Sequence, residues 1–576
     1  MNNWINNPQR FRVGVEILLF TLLTIGLTTE NPIELVARNE ATPTGPKPAM
    51  GWSSDWALGC EIITDDEMYW EGEQMARRGL VEAGYTTLIF ECAWEIGYED
   101  DWSPKASVVS SQNLSKAAFP NGIHSFIEWI KPLGINVGVG TWGGKQLCLR
   151  DPQPSSELGM EAPRDLNRYI QSIAEAGVVY LIHRPCDMAT PEFLQNPEKA
   201  HELDSRYVAM QEAIQNTRSS LFYATGQWGS SPLAQQKKAN SWRVSDEQLP
   251  TWDSFIRTLN GVVPYAHQAR PGAYNDLGFL RLARFRKMQL TMTEKRTMFS
   301  FWAAAKSPLI FSDDMERMDQ DTIEMLKNRR VIAVNQDDLG KSITLRRRYP
   351  NHIDIWTGPM KDGSTVAIIV NWSGEDIKDI PLDDMGFSSA RLQDVWSGID
   401  IGHKEKVYQS VIPTHGSLFL KLTETKPSPP KAWTRFTIDT AEVVAPAKVA
   451  MLGTVKVATL IAPEGQGSVV WNDVPGGGTT DVVISLDYIN AGASESYKDH
   501  GNLNFRRAVI VVNDDPNLHF PIHFPVTGVT WADIYPGFLA SIKLPNKTNR
   551  VRIQGLDQWA PDFVSLSVEK PAAQAA

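Results

Sequence analysis

Four residues stand just past short apolar runs, where a chain leaves a buried strand. Glu91 follows Thr87-Leu88-Ile89-Phe90, and Trp142 follows Asn136-Val137-Gly138-Val139-Gly140. Arg184 follows Val178-Val179-Tyr180-Leu181-Ile182, and Gln227 follows Leu221-Phe222-Tyr223-Ala224. A glutamate so placed can move a proton or attack an electrophilic carbon. A guanidinium can do neither, because it stays protonated and has no lone pair to offer. It can clamp an anionic group or pair with neighbouring carboxylates. Indole faces stack on flat ring surfaces or fill cores, and the chain has 19 tryptophans. His183, beside Arg184, reads as a core histidine rather than a base. With neither His-Glu-x-x-His nor a paired Cys-x-x-Cys, no metal or other cofactor is expected.

The elements that must hold these residues alternate from Pro48 to about Asn335. Apolar runs follow amphipathic stretches such as those around Met75-Leu80 and Ile127-Ile130. That alternation predicts a parallel β/α architecture, either barrel or open sheet, with polar residues at the carboxyl ends of the strands. After about Leu339 the texture becomes alternating strands with Gly- and Asp-rich turns, such as Ile353–Trp356 and Val366–Val370. This predicts an antiparallel sandwich over 339–422. The proline-rich stretch 423–433 reads as a linker, and 434–570 as a second all-β unit.

A chain of 576 residues favours two to four domains. Its formal net charge of −11 disfavours binding a phosphate backbone through a basic field. Residues 1–30, with Arg10 and Arg12 ahead of the apolar run Ile17–Leu27, read as a signal peptide rather than a membrane span. The sequons at Asn113, Asn371 and Asn546 agree with a secreted, extracellular protein that keeps no membrane segment after cleavage. An oxidising destination would let all four cysteines pair.

Several blocks occur in an order that resembles one family. They include Pro48-Ala-Met-Gly-Trp52, Ala83-Gly-Tyr85, Phe119-Pro-Asn-Gly122 and Asn240-Ser-Trp-Arg243. Pro271-Gly-Ala-Tyr-Asn-Asp276, Phe299-Ser-Phe-Trp-Ala303, Ser307-Pro-Leu309 and Ala333-Val-Asn-Gln-Asp337 continue the series. The chain is identified by them, over about 48–420, as a member of the α-galactosidases of glycoside hydrolase family 27. The resemblance implies a (β/α)8 barrel over 48–338 followed by the antiparallel sandwich. It also implies hydrolysis of terminal α-galactosides by two carboxyl groups with retention of configuration. The region 434–570 resembles, more loosely, a family 35 carbohydrate-binding module through Thr440-Ala-Glu442, Phe520-Pro521 and Trp559-Ala-Pro-Asp562. The implied partner is a carbohydrate.

The resemblance also assigns positions, and here the chain departs from its family. The nucleophilic aspartate of the family's Tyr-Leu-Lys-Tyr-Asp-Asn-Cys falls on Arg184 in Tyr180-Leu-Ile-His-Arg-Pro-Cys186, and its lysine on Ile182. The acid/base position falls on Glu247, with Asp246 beside it. Sugar-contact positions fall on Trp52, Glu91, Gln227, Trp228, Arg243 and Asp276. The family's Tyr-Ser-Asp becomes Gly140-Thr141-Trp142, and its Cys-Glu-Trp-Gly becomes Gly226-Gln227-Trp228-Gly229. Arg184 then has two readings: a clamp for an anionic sugar, or a filler paired with Asp246, Glu247 or Glu91. Two outcomes stay open: an inverting site rebuilt from Glu91, Glu247 or Asp276, and a non-catalytic sugar-binding protein. The family further implies a Cys148–Cys186 disulfide and a second between Cys60 and Cys92.

Overall fold

A computed structural model describes residues 46–58, 64–91, 119, 121–141, 165–184, 197–226, 239–245, 248–350, 353–372, 377–478, 481–491, 503–528 and 530–570. Eight parallel strands come first: β1 (Met50–Ser53), β2 (Thr87–Phe90), β3 (Asn136–Thr141), β4 (Tyr180–His183), β5 (Phe222–Thr225), β6 (Ser241–Arg243), β7 (Tyr274–Asp276) and β8 (Leu309–Phe311). They lie in the order β7-β6-β5-β4-β3-β2-β1-β8. Leu280, just past β7, bridges in parallel to Phe311 of β8 and brings the two ends of the sheet together. The sheet is therefore the predicted barrel and not an open layer. Its lumen is filled by Ile89, Tyr180, Ile182, Phe222, Ala224, Phe279 and Ile310, so it is a packed core without a channel.

The described α-helices are α1 (Ser54–Ala57), α2 (Asp65–Arg77), α3 (Ile123–Ile130), α4 (Leu166–Ala176), α5 (Pro197–Asn216), α6 (Trp252–Val262), α7 (Met292–Ala304), α8 (Gln320–Leu326) and α9 (Arg329–Asn335). Local chemistry sets several of their starts. Thr64 with Glu67, and Thr291 with Glu294, form capping boxes on α2 and α7. Asp165 and Thr251 cap α4 and α6 through their side-chain oxygens. α6 differs from an ordinary barrel helix, since every residue from Ser254 to Val262 is buried.

A six-stranded antiparallel sheet and a two-stranded one follow from Thr344. The last strand of the larger sheet runs Ser417–Pro427, past the sandwich end expected at 422 and through the first half of the expected linker. Its ladder to Phe387–Asp394 keeps residues 423–427 in strand. Only residues 428–432 therefore connect to the next strand, Trp433–Thr437. From there two antiparallel sheets, of six and five strands, enclose a core built on Trp471, Tyr488, Phe524, Phe538 and Phe563. Among the described residues, no helix is long and apolar enough to cross a membrane. The proposed signal segment, the sequon at Asn113 and all four cysteines lie outside the described residues.

Candidate functional site at the barrel mouth

Past the carboxyl ends of the strands, two ion-paired arginines flank one phenylalanine. Arg184, directly after β4, donates from Nη1 to Asp55 Oδ2 at 3.2 Å and from Nη2 to Glu91 Oε1 at 3.1 Å. Asp55 sits in the first turn of α1, and Glu91 directly follows β2. Ser53 Oγ donates to the same Glu91 oxygen at 3.5 Å, and Ser54 Oγ accepts from the Glu91 amide at 3.1 Å. On the other flank, Arg243 Nε donates to Asp276 Oδ2 at 3.2 Å, while Asp276 Oδ1 accepts from the Gly278 amide. Both guanidinium carbons lie over the Phe279 ring, 5.3 and 5.1 Å from its centroid. The Arg184 and Glu91 side chains are only 6% and 1% exposed. This burial makes the two pairs part of the packed mouth rather than a solvated rim.

Space for this arrangement comes from two glycines. A Cβ at Gly226 would lie 2.9 Å from Arg184 Cγ, and one at Gly140 would lie 2.6 Å from Glu91 Oε2. At these positions the family pattern carries a cysteine and a tyrosine. Either side chain would occupy the volume that the Arg184–Glu91 pair now fills. The Arg184–Glu91 pair thus depends on glycine at 140 and at 226, one on each side of it.

The remaining sites expected from sequence divide into three groups. Glu91, Arg184, Arg243 and Asp276 are brought together at the mouth. Trp52 is not a stacking platform here: it is fully buried, and its indole Nε1 donates to the Asp313 carbonyl at 2.9 Å. Asp246, Glu247, Gln227 and Trp228 lie outside the described residues. His183 is a core histidine, with Nδ1 3.0 Å from Tyr223 Oη and burial pushing its pKa down to about 3. It is therefore neutral at physiological pH.

Sequence reading missed Asp55, Phe279 and a third cation. Arg281 lies over Trp56 at 4.0 Å and faces Asp313 Oδ1 at 3.6 Å. The only signal for Asp55 was a carboxylate three residues past Trp52. Phe279 and Arg281 lay just downstream of the Asp276 block.

Tyr180 carries a hydroxyl, buried in the lumen, that has no hydrogen-bond partner among the described residues. Burial first, then the nearby Asp276 and Glu91 charges, drive its pKa well above the usual phenol range. Tyr180→Phe is expected to stabilise the fold by about 1–2 kcal/mol, since it removes an orphaned polar group while keeping the ring. Urea denaturation checks this, and destabilisation would reveal a partner for the hydroxyl.

Comparison with known proteins agrees with this architecture. Residues 47–337 match the family described as alpha galactosidase A, and residues 350–422 match the alpha galactosidase C-terminal beta sandwich domain. The α-galactosidase D of Emericella nidulans is 31% identical over 386 residues, which is 66% of this chain and 56% of that protein. A probable α-galactosidase D of Aspergillus terreus is 30% identical over 394 residues, with the same shares. The chain thus spans a little over half the length of the curated relatives it matches. Among solved structures it is similar in fold to α-galactosidase I from Mortierella vinacea, at TM-score 0.56 and 23% identity, over 66% of this chain and 98% of that one. A family 27 β-L-arabinopyranosidase from Geobacillus stearothermophilus is similar at TM-score 0.55 and 18% identity, over 67% and 98%. With barrel, following sandwich and ordered blocks in agreement, the chain belongs to the α-galactosidase A family, as a divergent member of glycoside hydrolase family 27.

Proposed function

We propose that this protein is directed at terminal α-galactosides and recognises them at the barrel mouth without forming a covalent glycosyl–protein intermediate. The observation that carries this reading is Arg184 at the nucleophile position, held between Asp55 and Glu91. A retaining hydrolase needs a free carboxylate beneath the anomeric carbon, with its acid/base partner about 5–5.5 Å away. A guanidinium cannot attack that carbon, and here it neutralises the carboxylates nearest to it. Arg184 and Arg243 face Asp55, Glu91 and Asp276, so the described mouth keeps one excess negative charge. A neutral sugar is favoured over a uronate or sulfated one, because an anion would displace carboxylates already in place.

A second reading is favoured by the carboxylates that remain. Glu91 or Asp276, with Glu247 or Asp246 as the acid, would form an inverting pair around a water. One set of measurements separates the two. Incubation with an aryl α-galactoside bearing a good leaving group is expected to give no turnover above background. A fluorinated galactosyl inactivator is expected to leave no adduct, and calorimetry should detect galactose but not galacturonate. Turnover releasing the inverted anomer, lost in Glu247→Gln, establishes the second reading. A covalent adduct on any residue overturns both.

We propose further that the protein is secreted and that the last β-domain is related to carbohydrate-binding modules. Asn371 is fully buried, with its amide donating to the Ile412 carbonyl at 2.9 Å, whereas Asn546 is exposed. Material made through a eukaryotic secretory pathway is expected to carry a glycan at Asn546 and none at Asn371. Peptide mass spectrometry after glycosidase treatment checks this, and a glycan on Asn371 would contradict it.

A further inference from the structure

The last β-domain meets the rest of the chain through buried polar groups, and one arginine joins three regions. Arg348 is fully buried at the end of strand Thr344–Arg348 in the middle sheet. Its Nε and Nη2 donate to Asp354 Oδ1 and Oδ2, at 2.7 and 2.6 Å. Its Nη1 donates to Asn260 Oδ1 of α6 and to the His523 carbonyl of the last domain, each at 2.8 Å. Its guanidinium carbon lies 4.4 Å from the Trp372 ring centroid.

Around this centre, Asn260 Nδ2 donates to the Leu503 carbonyl, and Asn504 Nδ2 donates to the Arg257 carbonyl, both at 3.1 Å. Phe505 stacks on His523 at 4.2 Å, and Leu345 and Tyr535 pack against both neighbouring cores. The connector itself is pinned: Lys431 Nζ bridges Asp383 of the middle region and Glu569 of the last domain, at 2.7 and 2.9 Å.

We propose that the last β-domain is a permanent brace of α6 and the middle sheet, with Arg348 as its anchor, and not a mobile module on a tether. The surface around Leu503, Asn504, Phe505 and His523 is then a docking face whose partner is the chain's own barrel. Undocking would leave Asn260, the Arg257 carbonyl and part of the Arg348 guanidinium without their partners. Undocking exchanges these bonds for bonds to water and forfeits their net gain, and it re-exposes the apolar surface that Leu345 and Tyr535 bury against both cores. A charge buried with a single bidentate partner also has fewer ways to relax than one at a surface. The burial of α6 from Ser254 to Val262 is in keeping with the same contact. This inference does not depend on sugar binding, so its test needs no ligand.

The test cuts the connector in the intact protein. A protease recognition sequence inserted between Pro429 and Pro430 lies in an exposed stretch outside any strand. After cleavage at submicromolar concentration, the two pieces are expected to co-elute on gel filtration and to melt in one calorimetric transition. Separation of the pieces, or independent melting of the last domain, overturns the proposal. In the cleaved protein, Asn504→Ala and Arg348→Met should each speed dissociation at least tenfold. Unchanged dissociation in Arg348→Met removes it as the anchor, and if that variant does not fold, Asn504→Ala carries the same test.

Discussion

Arg184→Met is expected to destabilise the protein by about 3–5 kcal/mol at neutral pH, because it takes the paired guanidinium away from the buried Glu91 and the half-buried Asp55. The loss should depend on pH in a definite direction. Without the guanidinium, the buried Glu91 carboxylate is desolvated with no cation from position 184, which favours its neutral form in the folded variant. The folded variant then holds protons that the unfolded chain has released, so its deficit grows as pH rises and shrinks on acidification. Urea midpoints at pH 5 and pH 8, for parent and variant, read this directly. A deficit below about 1 kcal/mol at both values would mean that Arg184 does not stabilise the mouth, and would revive the anion-clamp reading.

Glu71 should produce an effect of similar size from a different place. It lies on the inward face of α2 with Met68, Gly72 and Met75, and Oε2 has no hydrogen-bond partner among the described residues. Burial first, then the charge of Asp314, push its pKa up from 4.5 to about 8. Folding therefore retains a proton that the unfolded chain loses above about pH 4.5. This contribution is fully present below pH 4.5 and is lost as pH rises towards 8, amounting to about 3–5 kcal/mol across the window. Glu71→Gln, which cannot ionise, should match the parent near pH 4.5 and exceed it progressively up to pH 8. Parallel melting curves that stay superimposed at pH 8 would show that the carboxyl is not held neutral.

What the sequence made readable follows from burial. Strands covered on both faces give unbroken apolar runs, so β2, β3, β4 and β5 stood out at once. β6 and β7, Ser241–Arg243 and Tyr274–Asp276, are three residues long and polar, and only the family blocks located them. The resemblance gives Arg184 the family's nucleophile position through the register of Tyr180, Leu181 and Cys186. One of its partners, Glu91, was among the candidates, but Asp55 was not, because 129 residues separate it from Arg184. Trp52 shows the reverse failure. An indole at a matching position predicted a sugar platform, yet orientation decides between stacking and packing, and here the ring faces inward. The proline-rich stretch misled for a related reason: an edge of a ladder tolerates Pro427 once the neighbouring strand supplies the bonds.

The two small residues beside Arg184 and Glu91 bear on any attempt to rebuild this mouth. Restoring aspartate at 184 alone would leave voids next to Gly140 and Gly226 and gather three carboxylates in one dry corner. Restoring the bulky neighbours first would collide with the side chains already there. Each of these single exchanges works against the packing around it, so a mouth with an aspartate at 184 calls for a concerted exchange of several positions.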